Sequence, residues 1–277
     1  MLCASLRLRG VELLRRVDDL DALARTGSSA GIPLLHPWAN RLHGLRYRAL
    51  GREVTLDPAS PLVHLDAHGL PLHGVPWSRL AWQRVDASSD RIAARLAWNQ
   101  PDLLAVFPFP HRLDLVATLR PGALTFETAL TAAPGSAVPV SFGFHPYLGL
   151  PGVARSQWRL RLPPLRKLVL DERGIPTGEE EPFAGLDAPL GALAFDDGFA
   201  TLDEQSWFSL EGGGRRIRVE LLAGYRFVQV YAPPSQELVA LEPMTAATNA
   251  LVSGRELRLA APGETVRAAF RIQVDDV

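Results

Sequence analysis

The stretch LDLVATLRPGALTFETAL, Leu113–Leu130, decides the fold class. Leu113, Leu115, Ala117 and Leu119 alternate with other residues, Pro121-Gly122 interrupts, and Leu124, Phe126, Thr128 and Leu130 alternate again. A period of two on both sides of a Pro-Gly pair predicts an antiparallel hairpin with one apolar face. The same design extends outward. LRYRALGREVTL, Leu45–Leu56, reads as a second hairpin, and RELRLAAPGETVRAAFRIQV, Arg255–Val274, as a third. YRFVQVYAPP and ELVALEPM each read as a strand ended by proline. Helical spacing is confined to DDLDALAR, Asp18–Arg25. Two proline-rich stretches, 162–165 and 175–189, read as loops with brief strands, and Gly212–Gly214 as a hairpin turn. The expectation is a single all-β domain over residues 1–277, built of antiparallel sheets.

Composition narrows the function classes. With 29 Lys+Arg against 30 Asp+Glu the net charge is −1, and no run of five like charges occurs, so neither nucleic acid nor an anionic membrane is an expected partner. Cys3 is the sole cysteine, which rules out an internal disulfide and a cysteine-built zinc site. Arg7 and Arg9 break the first apolar stretch, unlike a signal peptide, and no uncharged apolar run approaches membrane-span length. A cytoplasmic protein is the expectation.

Four segments set reactive side chains among aromatics and prolines: HPWANRLHG (36–44), LPLHGVPW (70–77), SFGFHPYLGLPG (141–152) and LVALEPMTAATNAL (238–251). A fifth, FDDGFATL (195–202), is weaker. Alternation puts Glu242 on the face of Leu238 and Ala240. A carboxyl among apolar groups is desolvated, its pKa rises, and it becomes a usable base; the competing reading is a solvated acid at a strand end. His145, in an aromatic loop, is either a proton donor or acceptor near pH 7 or a histidine satisfied by a backbone carbonyl. His73, beside Gly74, carries the same two readings. Arg41 offers a fork of donors to hydroxyls, or forms a structural salt bridge. Asp196 and Asp197 are adjacent, and either one accepts from hydroxyls or they cap a turn. The seven histidines are scattered, the acidic run Glu179–Glu181 reads as a solvated loop, and there is no nucleophile elbow, Walker loop or dinucleotide fingerprint.

Taken together the segments resemble the aldose 1-epimerase (galactose mutarotase-like) family. PWANRLHG is similar to its P-x-ANRI segment. LHG, FGFHPYL and ALEPMTAATNAL match three further hallmarks in order, and DDGF resembles its D-x-x-F segment. The likeness spans roughly the whole chain. It implies a β-supersandwich with a shallow sugar-binding cleft and no cofactor or metal. It also implies that Glu242 takes the proton from the anomeric hydroxyl and His145 protonates the ring oxygen, while Asn40, Arg41, His73 and Asp196 hold hydroxyls. The partner is then a small sugar and the protein a monomer or weak homodimer. Two features depart from the family. The chain begins almost at SLRLRGVELLRR, where the family usually has one or two earlier strands; either an edge hairpin is lacking or the start is truncated. And HGVPW has Trp77 where the sugar-phosphate branch carries an arginine, the next being Arg79. That favours a neutral sugar stacking on Trp77. A hexose-6-phosphate 1-epimerase and a non-catalytic carbohydrate-binding domain are the alternatives.

Overall fold

The computed structural model describes residues 1–15, 19–26 and 28–277. Two nine-stranded antiparallel sheets carry the chain. The first runs Leu2–Cys3, Ile32–Leu35, Gly143–Phe144, Val239–Met244, Phe227–Ala232, Phe195–Thr201, Leu165–Leu170, Pro176–Phe183, with Tyr147–Leu148 also pairing with Val239–Met244. The second runs Leu186–Pro189, Arg159–Leu162, Trp207–Gly212, Arg215–Ala223, Thr265–Asp276, Ala123–Ala132, His111–Arg120, Arg91–Trp98, Gln83–Ala87. The architecture is all-β, as the period-two pattern requires.

The hairpin read from Leu113–Leu130 forms with Arg120 opposite Ala123, and Gly122 takes a φ of +69° that costs a glycine little. Arg46–Ala49 and Arg52–Thr55 pair through Leu50-Gly51, both left-handed. Three expectations need correction. Arg258–Ala260 does not fold back on Thr265–Asp276; it pairs with Val138–Val140, a partner more than a hundred residues away. Residues 175–189 contain a full eight-residue strand, Pro176–Phe183, and the acidic run lies on it rather than in a loop. It is the edge of its sheet, where charged side chains discourage pairing with another chain, and Glu180 there bridges Arg166 and Arg255. Pro243 sits inside its strand, opposite Val228, rather than ending it. The expected helix spans Leu20–Thr26, beginning two residues and ending one residue later than its sequence pattern, with Asp19 Oδ1 accepting the Ala22 N–H at 2.8 Å as an N-terminal cap. Helical structure is not confined to it, since short helices also span Pro101–Val106 and Ala250–Ser253. Asp18 lies outside the described residues. Among the described residues no helix is long and apolar enough to cross a membrane.

The sheets meet on aromatic rings. Phe270 and Phe126 of the second sheet stack at 5.0 Å, and Phe144 of the first lies 5.0 Å from Phe270, with Tyr225 edge-on at 5.8 Å. Burying each such ring contributes about 1.5–3 kcal/mol from removed apolar surface alone. This core anchors Gly143–Phe144, the strand that leads into His145. Phe270→Ala, which empties the centre of the cluster, is expected to lower unfolding free energy by about 3–5 kcal/mol in a denaturant titration. A loss below about 1 kcal/mol would mean that the rings do not hold the sheets together.

Candidate active site

Register brings the polar residues of the first sheet together. Asp196 stands opposite Tyr231, and Gln229 opposite Glu242, on three adjacent strands. Alternation then sorts the two aspartates. Asp196 faces the same cavity as Glu242, whereas Asp197 points the other way and pairs with Lys167 at 2.8 Å. The Gln229 amide donates to Asp196 Oδ1 at 2.7 Å, so one carboxylate oxygen is held from the neighbouring strand.

The remaining members arrive on loops tied to one another through their backbones. Ala39 N–H donates to Ser141 O, Leu42 N–H to Pro71 O, His73 N–H to Asn40 O, and Asn249 N–H to Arg41 O, at 2.7–3.0 Å. Thr245 Oγ1 donates to Phe142 O at 2.9 Å. All four reactive segments of the sequence are therefore cross-linked. The geometry is demanding: Asn40 and His73 both adopt left-handed backbone conformations, with φ of +57° and +62°. Such conformations are uncommon outside glycine, less so for Asn and His, and persist where surrounding structure imposes them.

A cavity of about 250 Å³ results, lined among others by Asn40, Arg41, His73, His145, Asp196 and Glu242. Six of the seven residues singled out in the sequence converge there. Trp77 does not. It lines a neighbouring cavity of about 230 Å³, which shares Leu72, His73 and Tyr147 with the first, and its indole N–H is engaged by Ser28 O at 3.1 Å. Trp77 thus lies outside the cavity that holds the Glu242–His145 pair, in the one adjoining it. The aromatic side chains that line the cavity are Tyr147 and Tyr231.

At the centre, His145 Nε2 lies 3.2 Å from Glu242 Oε1, with the residues 5% and 1% exposed. The imidazole stacks on the Tyr147 ring, centroids 3.9 Å apart, and His73 meets it edge-on at 5.3 Å. Tyr147 is fixed through its hydroxyl, 2.7 Å from Ser29 Oγ. Glu242 Oε2 and His145 Nδ1 have no hydrogen-bond partner among the described residues. Buried polar atoms normally have one, so these two are an exception that asks for a reason. Burial pulls the His145 imidazole down to about 3, and the same burial, joined by the nearby Asp196 charge, pushes the Glu242 carboxyl well above its ordinary range; Arg41 works against that rise. Burial also lowers His73 well below the usual histidine range, helped by His145 and Arg41, which makes it a neutral hydrogen-bonding group. The pair can therefore hold one proton between a carboxyl and an imidazole, out of water, beside hydrogen-bonding groups suited to hydroxyls.

Arg41 answers both of its readings. Its Nε donates to Asp66 Oδ2 at 2.7 Å, and its Nη atoms approach Asn40 Oδ1 at 3.4 Å and Asp196 Oδ2 at 3.5 Å on the cavity wall. Sequence reasoning missed Asp66, Gln229, Tyr147 and Tyr231. For Gln229 a signal existed, a lone amide in the apolar run FVQV, two residues from Tyr231 and so on one face with it. Tyr147 lies within SFGFHPYLGLPG, two residues from His145, a spacing that does not by itself show the stacking. Asp66 gave no signal beyond a turn. No group of three or more His, Cys, Asp or Glu able to hold a metal ion occurs among the described residues.

Gly74 makes the loop packing possible. At φ +69° it brings its backbone against His36, and a Cβ there would lie 2.3 Å from His36 O. Gly74→Ala is expected to cost about 1–3 kcal/mol or more of stability and to depress any activity of the adjoining His73. Gly69→Ala, at a similar φ of +71° with nothing within 4 Å, isolates the backbone cost. Equal losses of thermal stability in the two variants would show that the close approach to His36 is not a constraint.

The aldose 1-epimerase family model matches residues 4–273. Two uncharacterized proteins of Escherichia coli (strain K12) are similar in sequence. YihR is 26% identical over 255 residues, covering 87% of this chain and 80% of its own; YphB is 27% identical over 279 residues, covering 93% and 90%. Among solved structures, a galactose mutarotase-like protein from Clostridium acetobutylicum superposes with a TM-score of 0.81 at 16% identity, covering 97% of this chain and 87% of that one. Galactose 1-epimerase from Lactobacillus acidophilus NCFM superposes with a TM-score of 0.74 at 14% identity, covering 99% and 89%. At such identities the likeness is one of fold.

Proposed function

The chain belongs to the aldose 1-epimerase family, and from that premise we propose that it interconverts the α and β anomers of a free, unphosphorylated hexose by opening and reclosing the ring at Glu242 and His145. The observation that carries this reading is the buried 3.2 Å contact between the two side chains. In a cyclic aldose the hydroxyl to be deprotonated and the ring oxygen to be protonated are bonded to the same carbon. A base and an acid that touch each other therefore match them, whereas groups on opposite sides of a cleft would not.

The proton count also fits. In the ionised arrangement the Glu242 carboxylate takes the anomeric proton while the His145 imidazolium gives one to the ring oxygen. The C1–O5 bond breaks, the carbonyl forms, and the pair is left as carboxyl and neutral imidazole, the arrangement that burial favours. Rotation about C1–C2 presents the other carbonyl face, and the reverse transfers close the ring. The competent pair carries one proton throughout, and moving it from Glu242 to His145 along their contact prepares the base and the acid. Asn40, Arg41, His73 and Asp196 hold the ring hydroxyls, and the unpartnered Oε2 of Glu242 is the acceptor for the anomeric one. Arg79 is exposed and does not line this cavity, whereas Arg15 does, so a hexose 6-phosphate is to be tested beside the neutral sugar.

NMR exchange or polarimetry on freshly dissolved α-glucose and α-galactose tests the proposal. Acceleration over the buffer rate is expected, and Glu242→Gln and His145→Ala should each lower kcat by about 10²–10⁴-fold. Strong preference for a hexose 6-phosphate would replace the neutral substrate, and sugar binding without anomer exchange would leave only a carbohydrate-binding domain. The pH profile is a separate prediction. kcat/KM should stay level across neutral pH. It should fall in acid only at about pH 3, where protonation of His145 gives the pair a second proton, and in alkali once the raised value of Glu242 is passed and the last proton leaves. A decline centred near 6.5, the value of an ordinary histidine, would contradict the shared-proton scheme.

Stability gives the same pair a second readout. A carboxyl whose proton affinity is higher folded than unfolded favours the folded state in acid and works against it as pH rises above its unfolded value. Glu242→Gln is therefore expected to raise Tm at pH 7 relative to wild type while activity collapses. An unchanged pH dependence of Tm would show that Glu242 is ionised in the fold.

A further inference from the structure

Arg41 is the one cation among the residues proposed to hold hydroxyls, and its placement depends on a residue that does not line the cavity. The Asp66 side chain is only 7% exposed, and every one of its bonds is directional. Oδ1 accepts the backbone N–H of His68 at 2.8 Å and of Leu70 at 2.9 Å, which locks the carboxylate to its own turn. Oδ2 accepts Arg41 Nε at 2.7 Å. Burial would raise this carboxyl, yet the Leu70 N–H, Arg41 and the His68 N–H together hold it below its ordinary range, so it is an anion when it meets the guanidinium. The turn itself is joined to the site, because Asp66 N–H donates to Leu70 O and Leu42 N–H to Pro71 O.

A guanidinium grasped by Nε leaves both Nη groups to point forward. In this site they lean towards Asn40 Oδ1 and Asp196 Oδ2 at 3.4 and 3.5 Å, contacts too long to saturate them, and both acceptors line the cavity. Gly174 also packs close to the guanidinium, where a Cβ would stand 3.0 Å from Nη1. We propose that Asp66 is a positioning residue: it clamps Arg41 through Nε so that the two Nη groups present a fixed fork to the hydroxyls of the bound sugar. Without the clamp Arg41 is drawn to Asp196, its remaining carboxylate neighbour at 49% side-chain exposure, and the two would neutralise each other instead of gripping substrate. The inference rests on the epimerase reading for its substrate, and adds to it a residue outside the cavity.

The experiment is a double-mutant cycle in anomer exchange with glucose and galactose on the intact chain. Asp66→Asn keeps an oxygen for the His68 and Leu70 N–H groups but turns an N–H towards Nε, so it preserves the turn and breaks the clamp. It is expected to raise KM by about 10- to 100-fold, with the larger part of the change in KM rather than kcat. In an Arg41→Ala background the same substitution should change KM by less than about twofold, since nothing is left to position. A purely structural role for Asp66 would give additive losses in the two backgrounds, and that outcome overturns the proposal. Should Asp66→Asn fail to fold, Arg41→Lys answers without touching the turn. An ammonium cannot bond Asp66 and reach forward with two donors, so KM should rise by a similar factor, and a wild-type KM would overturn the clamp. If the wild-type chain itself shows no anomer exchange, the epimerase reading fails and this inference with it; wild-type exchange with additive cycles removes the inference alone.

Discussion

His145 and Glu242 stand 3.2 Å apart, almost wholly out of water, with one polar atom on each left unpartnered among the described residues. A carboxyl so placed resists ionisation and an imidazole so placed resists protonation, so a pair that must do both in turn needs a frame that neither collapses onto it nor admits solvent. Much of the architecture around the pair can be understood as that frame. Glu242 is held by a central strand whose residues are all buried, with Gln229 opposite. His145 is held by a stacked tyrosine whose hydroxyl is fixed in turn, and by a backbone N–H donating to Pro33 O. Low polarizability around the pair strengthens the field that each partner exerts on the other, which is why a short-range arrangement of two ordinary side chains can serve as acid and base at neutral pH.

The loops show where the fold accepts conformational cost. Asn40 and His73 lie in left-handed conformations and are bonded to each other through the His73 N–H and Asn40 O, while Gly74 lies against His36 with no room for a Cβ. Each of these would relax if the segments were free. They do not, because the aromatic core beneath them and the backbone bonds between them fix the chain on both sides of each turn. Strain concentrated at Asn40 and His73, which line one cavity, is what a pre-organised binding site requires, since side chains that already point at the ligand lose little freedom when it arrives.

The charges follow the same economy of position. Asp66, Asp196 and Arg41 form a chain in which the arginine is bound firmly at one end and loosely at the other. Arg41 opposes the rise in proton affinity that burial and Asp196 impose on Glu242, so the hydroxyl-holding groups also tune the base. Asp197, one residue away on the same strand, takes no part because alternation turns it to the opposite face, where Lys167 meets it.

Period-two patterning and Pro-Gly punctuation, both local, were enough to specify an all-β chain and its closest hairpins, because a strand's face and a tight turn depend on neighbours within a few residues. Four short segments with His, Arg and Glu among aromatics marked the site for the same reason: such residues are unusual where chain and solvent alone would choose. What local pattern could not reach was pairing at a distance. Arg258–Ala260 found Val138–Val140 rather than its sequence neighbour, and residues 176–183 became an edge strand despite their prolines and charges. Trp77 was carried into the next cavity, and Asp66 was brought under Arg41. Those outcomes depend on strand register and on which loop packs against which, set by the shape and burial of the whole core. The identity of the reactive residues is therefore written in short stretches of chain, while their distances, their protonation and the groups that aim them exist only once the two sheets have closed.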